Sequence, residues 1–303
     1  GEADELNPLS GGAEYTDLLA SLNLPCSLPH DQMLRVALGQ QMARPRMDQM
    51  RANQNVTINT NTGRWEGSGG NPELDPWRAT ALDISYEKYF GGKGYVSLAG
   101  FHKDLHTYII ERAVLTDFSG YDEGDMPRPE QDIDFFTSPQ NRTGGKIYGF
   151  EFAVSAPFDL LWQPLDGFGL QASYSNTHSS IRPDGPGTPS IALPGLSREV
   201  SNITLYYEKY GFSARVSQRK RSSFFGEVQG FGADRSPRFI RGEEIIDFQL
   251  GYAFADGTAL EGLSILLQVN NANNEPYREF FPEFSDLPRY YSEYGRQVPL
   301  GPT

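Results

Sequence analysis

One cysteine, Cys26, stands in 303 residues, so no internal disulfide can brace this chain, and the lone thiol reads as chemically inert. Nowhere does the sequence hold the roughly 18 consecutive apolar residues of a membrane-spanning helix. That excludes a helical span but not a transmembrane barrel, whose strands need only about 9–11 residues each. A mean hydropathy of −0.50 therefore says nothing about membranes here. Basic residues are few: 26 Lys and Arg against 39 Asp and Glu give a net charge of −13, which argues against nucleic acid as a partner. Also missing are a Gly-x-Ser-x-Gly elbow, a His-Glu-x-x-His pair, a phosphate loop and a dinucleotide fingerprint. No enzyme and no cofactor is expected. The sequence opens at Gly1 with neither Met nor a basic-then-apolar leader, and so reads as a processed or excised piece.

What is plentiful points to strands. There are 16 Tyr, 19 Phe, 32 Gly and 21 Pro, a balance suited to many short strands cut by turns. From Leu82 to Glu87, apolar Leu82, Ile84 and Tyr86 alternate with Asp83, Ser85 and Glu87, the period of a sheet with one oily and one wet face. Gly91, Gly92, Lys93 and Gly94 then reverse the chain into a second strand over 95–108. Similar alternation predicts strands over 17–28, 32–43, 142–157, 168–175, 199–210, 212–221, 246–252 and 263–270. About eleven strands result. Residues 48–75 and 113–141 show no period and read as loops.

The connections sort by length. Short ones near 29–31, 91–94, 157–166, 210–211 and 255–261 alternate with long ones near 44–75, 113–141, 182–196, 227–239 and 274–289. A soluble sandwich has no reason for that sorting, whereas an outer-membrane barrel keeps its periplasmic turns short and its external loops long. Tyr86, Tyr89, Phe90, Tyr206, Tyr207, Tyr210, Tyr252 and Phe254 cluster beside the short turns, as an interfacial belt would. The alternative is a soluble all-β module for carbohydrate, with the same period and the oily face turned inward.

Three sequence elements, in order, resemble the TonB-dependent outer-membrane receptors. They are Met42-Ala43-Arg44-Pro45-Arg46-Met47 ahead of a long loop, the Gly70-Asn71-Pro72-Glu73-Leu74 head before a descending strand, and the Asn-rich run from Gln268 to Tyr277 with Tyr294-Gly295-Arg296 after it. The last is closest to the proteobacterial group first noted in Xanthomonas and Caulobacter. Pro299 and the ending at Thr303 depart from the family's alternating final strand and terminal aromatic. The resemblance implies an all-β, antiparallel up-and-down transmembrane barrel, with residues 1–303 supplying about eleven strands of the C-terminal part of a 22-strand barrel and the plug lying elsewhere. It further implies a place in the outer membrane of a Gram-negative bacterium, among lipid and lipopolysaccharide. Its task would be energised uptake of a small-molecule or oligosaccharide ligand, glycan or iron-siderophore, with TonB engaged through a missing N-terminal region.

Candidate ligand residues come from the wet faces and the loops. Arg215, Arg219 and Arg221 share one face, with Lys220 beside them, and could hold an anionic or polyhydroxylated ligand or else pair with acids such as Glu208 and Glu151. Trp65 and Tyr121, with Phe118, Phe135, Phe136, Phe224, Phe225, Phe231, Phe280, Phe281 and Phe284, could stack on sugar or catecholate rings or pack the loops together. His102, Asp104 and His106 share a strand face without the further ligands a metal needs, and the acids at 117–134 lack calcium-loop spacing. No metal site is expected.

Overall fold

A computed structural model of the chain describes residues 11–122, 124, 126–185, 187–229, 236–281 and 287–302. In chain order the strands are β1 (Ser21–Leu28), β2 (Gln32–Ala43), β3 (Gln54–Asn59), β4 (Arg64–Gly69), β5 (Trp77–Phe90), β6 (Gly94–Asp117), β7 (Ile133–Pro157), β8 (Phe168–Ile181) and β9 (Glu199–Lys209). They continue as β10 (Phe212–Arg221), β11 (Phe224–Gln229), β12 (Ser236–Ile240), β13 (Glu243–Ala253), β14 (Ser264–Val269), β15 (Tyr277–Phe280), β16 (Pro288–Ser292) and β17 (Leu300–Pro302). Among the described residues only two single 3₁₀ turns, within 158–165, interrupt this all-β pattern.

The main sheet runs β1-β2-β5-β6-β7-β8-β9-β10-β13-β14-β17, eleven strands in an antiparallel meander. Strand order is linear, so this is part of a barrel rather than a closed one. Every short connection between neighbouring strands of this meander lies at one end. Three of them place two successive residues at positive φ: His30 and Asp31, Gly91 and Gly92, Tyr210 and Gly211. Such turns match the right-handed twist of the flanking strands. At Gly211 a Cβ would collide with the Ala253 carbonyl oxygen, so glycine is required there.

At the other end the sequence-based expectation needs correcting. Residues 48–75 are not all loop: β3 and β4 form a hairpin whose Gly67 and Ser68 join β7 beside Phe136 and Thr137, in the parallel sense. Nor is 113–141 aperiodic chain, since β6 runs up to Asp117 and β7 starts at Ile133. The expected loops near 227–239 and 274–289 contribute β11, β12 and β15, which with β16 make a second sheet, ordered β11-β12-β15-β16. β10 spans ten residues, and the first strand begins at Ser21 rather than residue 17.

Register decides the faces. Leu170, Leu205, Val216, Phe248 and Val269 lie side by side across five strands, as do Leu24, Val36 and Ile84 across three. These apolar side chains are not covered: Ile84 is 46% exposed, Phe150 45%, Leu205 52% and Leu250 46%. A soluble sandwich or barrel would bury this face, so its solvent is hydrocarbon. Each ladder hydrogen bond nets about 1 kcal/mol in water, but an unpaired backbone group costs several in lipid, so the meander is close to obligatory there. Tyr86, Phe90, Tyr207, Tyr252 and Phe254 share the apolar face near the short turns. Tyr89 and Tyr206 do not belong to that belt: Tyr89 hydrogen-bonds Glu87 on the polar face, and the Tyr206 ring lies across Gly169.

The buried clusters sit at the long-connection end. One joins Ile58, Trp65, Phe118 and Phe136; the other joins Ala79, Leu105, Tyr108 and Ile181, capped by Ile191 and Leu193. The second exists because the strands change phase. β6 gains a residue against β5 where Arg78 pairs Thr107 but Ala79 pairs Leu105, and β7 answers with Gly144 at φ +78°. Beyond this bulge Tyr108 turns from the outward series of Leu98 and His102 to the opposite face, where it is fully buried.

Candidate functional site

The polar face carries an open cavity of about 720 Å³ whose lining includes Asn23, Arg35, Asp83, Lys103 and Glu151, with Leu196 reaching in from the β8–β9 connection. Charges on this face are interleaved. Arg35 lies 3.4 Å from Glu87, one strand away.

The arginine series of β10 falls on the same polar face, and register supplies each member with an acid. Arg215 Nε donates to Glu208 Oε1 at 3.1 Å. Arg221 Nε lies 3.0 Å from Glu243 Oε1, and its guanidinium sits 4.8 Å above the Phe224 ring. Arg219 is held more loosely, 3.7 Å from Asp247 with its side chain 60% exposed. Lys220 points to the other face and pairs with Glu244 at 3.2 Å. Glu243 and Asp247 lie across the β10–β13 ladder, a pairing that sequence spacing does not reveal.

Above the wall the connections are ordered. Trp65, 2% exposed, stacks on Phe118 at 5.8 Å, and Tyr121 lies 5.5 Å from Phe118 with its hydroxyl donating to Gln54. Trp65 therefore offers no ring face to a ligand in this arrangement; it fastens the β3–β4 hairpin to the tips of β6 and β7. Asp134, buried beside it, accepts both forks of Arg64 at 3.0 and 2.9 Å. Phe231 and Phe284 lie outside the described residues.

The second sheet ties two connections together. Phe239 of β12 pairs Phe280 of β15, and Phe225, Phe239 and Phe280 form a row with ring centroids 5.4 and 5.8 Å apart. Beneath the row Arg238 bonds Glu279, which is 6% exposed and also accepts from the Tyr277 hydroxyl at 3.0 Å. Glu279 raises the pKa of Arg238, and burial pushes the Tyr277 hydroxyl up. Replacing Glu279 by Gln strands the Arg238 charge, at a cost of about 3 kcal/mol. Amide exchange in 236–240 and 277–280 should then quicken about 100-fold while β9 and β10 keep their protection. Unchanged exchange would mean that the aromatic row alone holds the two connections.

His102 Nε2 lies 3.4 Å from Asp104, while His106, at the bulge, bonds Thr80 at 2.8 Å. Among the described residues no three His, Cys, Asp or Glu side chains are grouped to hold a metal ion. Asp132 is engaged by Arg128 at 2.9 Å; Glu123 and Asp125 lie outside the described residues.

A sheet with one polar face, an exposed apolar face and long connections gathered at one end is the wall of a transmembrane β-barrel. The family model described as "TonB dependent receptor-like, beta-barrel" matches residues 10–272, and the chain belongs to that family of receptors and transporters rather than enzymes. No curated protein matches the sequence. Solved structures share the fold at low identity. The siderophore receptor PirA of Acinetobacter baumannii is 15% identical, with 92% of this chain and 40% of that one aligned at a TM-score of 0.62. A mutant of the ferric enterobactin receptor PfeA of Pseudomonas aeruginosa, in complex with enterobactin, is 14% identical over 92% of this chain and 39% of its own, at 0.64. The unliganded ferric citrate transporter FecA is 15% identical over 94% and 37%, at 0.59. The chain thus spans two fifths or less of their length. Members of the family are outer-membrane proteins of Gram-negative bacteria.

Proposed function

We propose that this chain is the C-terminal part of the barrel wall of an outer-membrane receptor that takes up a scarce small ligand, an iron chelate of the siderophore kind, at the expense of TonB-transmitted energy. The carrying observation is the polar face and its 720 Å³ cavity beneath an ordered roof of connections, on a wall whose other face is dressed for lipid. The iron chelate is favoured over a glycan by the ligands of the similar structures, enterobactin and ferric citrate. In this reading the two-residue turns face the periplasm, the long connections face outside, and lipid with lipopolysaccharide covers the apolar face. Plug and TonB contact belong to parts of the receptor beyond these residues. Arg219, exposed and loosely paired, and Arg221 above it are the wall's ligand contacts, Arg215 sits lower on the path, and Trp65 and Tyr121 act by holding the roof.

The test is growth of an iron-starved Gram-negative host that lacks its own siderophore receptors and carries the full-length protein. Ferric enterobactin or ferric citrate should support growth only when TonB is present. Growth without TonB would overturn the mechanism, and uptake of an oligosaccharide instead would overturn the ligand class.

A further inference from the structure

At the short-turn end, the connection between β7 and β8 is apolar. Pro29-His30-Asp31 and Gly91-Gly92-Lys93 are polar or glycine-rich, whereas residues 158–165 read Phe-Asp-Leu-Leu-Trp-Gln-Pro-Leu. Its two 3₁₀ turns leave Leu161 80% and Trp162 63% exposed. Leu160 folds back over the β5–β6 turn, where its methyl groups stand 3.0 Å from the Cβ position of Gly91 and 2.9 Å from that of Gly94. Phe158 lines a groove of about 280 Å³ together with Phe168, Leu205, Tyr207, Ala214 and Val216. Ladder register puts Phe168, Tyr207 and Ala214 in one row and Leu170, Leu205 and Val216 in the next, all on the apolar face. Ala214, set between Tyr207 and Leu250 of the neighbouring strands, is the smallest of them and leaves the hollow. Below Tyr207, Lys209 continues the same face opposite Phe212, and its Nζ lies 3.0 Å from Asp166. A second ion pair, Lys93 with Asp159 at 3.2 Å, stands beside Phe158.

We propose that this groove and the apolar finger at 158–165 form a seat for a single phospholipid of the inner leaflet, one whose headgroup carries both phosphate and ammonium, as phosphatidylethanolamine does. One acyl chain lies in the hollow over Ala214. Leu161 and Trp162 enter the headgroup layer beside it, the layer in which Trp is enriched. Two features select this occupant. The groove is continuous with the face already turned to hydrocarbon, so an acyl chain fills it where water would gain nothing. The Lys93–Asp159 and Lys209–Asp166 pairs at its lower end have no net charge, so a zwitterion finds a donor for its phosphate and an acceptor for its ammonium together. A purely anionic headgroup meets the aspartates as well as the lysines, and is disfavoured. The seat rests on the barrel reading, and its place in the inner leaflet on the short turns facing the periplasm; the binding itself needs neither TonB nor transport.

The experiment uses full-length protein in detergent and counts bound lipid by native mass spectrometry as phosphatidylethanolamine, phosphatidylglycerol or lipid A is added in turn. Wild type should retain a single phosphatidylethanolamine, held about tenfold more tightly than phosphatidylglycerol. Ala214→Phe fills the hollow with a side chain that a lipid-facing position accepts, and should weaken retention about tenfold. Leu98→Phe, on the same face but on β6, should behave as wild type. Asp159→Asn with Asp166→Asn leaves both lysines unopposed and should reverse the preference towards phosphatidylglycerol, a change that a merely structural role for these acids would not produce. Wild-type retention in a folded, heat-modifiable Ala214→Phe protein overturns the proposal, as does equal binding of the two phospholipids by wild type. Lipid A held more tightly than either, and lost in Ala214→Phe, assigns the groove to the outer leaflet and overturns the inner-leaflet seat. A protein that holds phosphatidylethanolamine through these residues yet fails the growth test keeps the seat and loses the uptake reading.

Discussion

Leu205→Arg in the full-length protein should remove most of it from the outer membrane, whereas Thr204→Arg, one residue away, should leave the amount near normal. Leu205 is 52% exposed in the middle of the row that runs from Leu170 to Phe248, with Val216 at 42% and Phe248 at 43% beside it. If that row meets hydrocarbon, arginine near the midplane costs about 2–4 kcal/mol, roughly 30- to 1000-fold in the folding equilibrium. Thr204 points the other way and shares a 2.9 Å hydrogen bond with Ser217. Losing that bond costs about 1 kcal/mol, and an arginine there joins a face that already holds Arg215 and Glu208. The heat-modifiable band in isolated outer membranes reads both outcomes. Normal assembly of Leu205→Arg with failure of Thr204→Arg would turn the sheet inside out and restore a soluble module with a buried apolar face.

That contrast was legible in the sequence because period 2 survives wherever one face meets lipid. Leu82, Ile84 and Tyr86, or Tyr148, Phe150, Phe152 and Val154, keep phase over a whole traverse, and Gly91-Gly92 or Gly211 marks the reversal. Above the lipid the constraint lapses. β3 and β4 are six residues each, half of them Asn, Thr, Gly and Ser, and only Val56, Ile58 and Trp65 are apolar and turned to a cluster. The run Leu105-His106-Thr107-Tyr108-Ile109-Ile110 breaks alternation openly, and that break is the only trace the bulge leaves in the sequence. The arginines of β10 were visible as a face because 215, 219 and 221 differ by even steps. Their acids were not, because Glu243 and Asp247 become neighbours only through the ladder with β13. Arg238 and Glu279, 41 residues apart, meet for the same reason, through connections that converge in space without a period to announce it.

Trp65→Ala should loosen the roof without touching the wall. The indole is 2% exposed and wedged among Ile58, Phe118 and Phe136, and on Gly67 even a Cβ would run into the Phe136 ring. Emptying such a site costs about 3–5 kcal/mol, more than a hairpin of two six-residue strands joined to β7 at two positions can absorb. In the ligand-free protein, amide exchange across β3, β4 and the tips of β6 and β7 should approach that of an open loop, while β8, β9 and β10 stay protected and membrane levels hold. Trp65→Phe should retain most of the protection. It keeps a ring for Phe118 and removes the indole N–H, which is buried with no hydrogen-bond partner. The ligand-free measurement separates packing from recognition, because a residue that only greets ligand leaves the empty receptor unchanged. Wild-type exchange in Trp65→Ala, combined with weakened ligand binding, would move Trp65 from the roof to the binding surface.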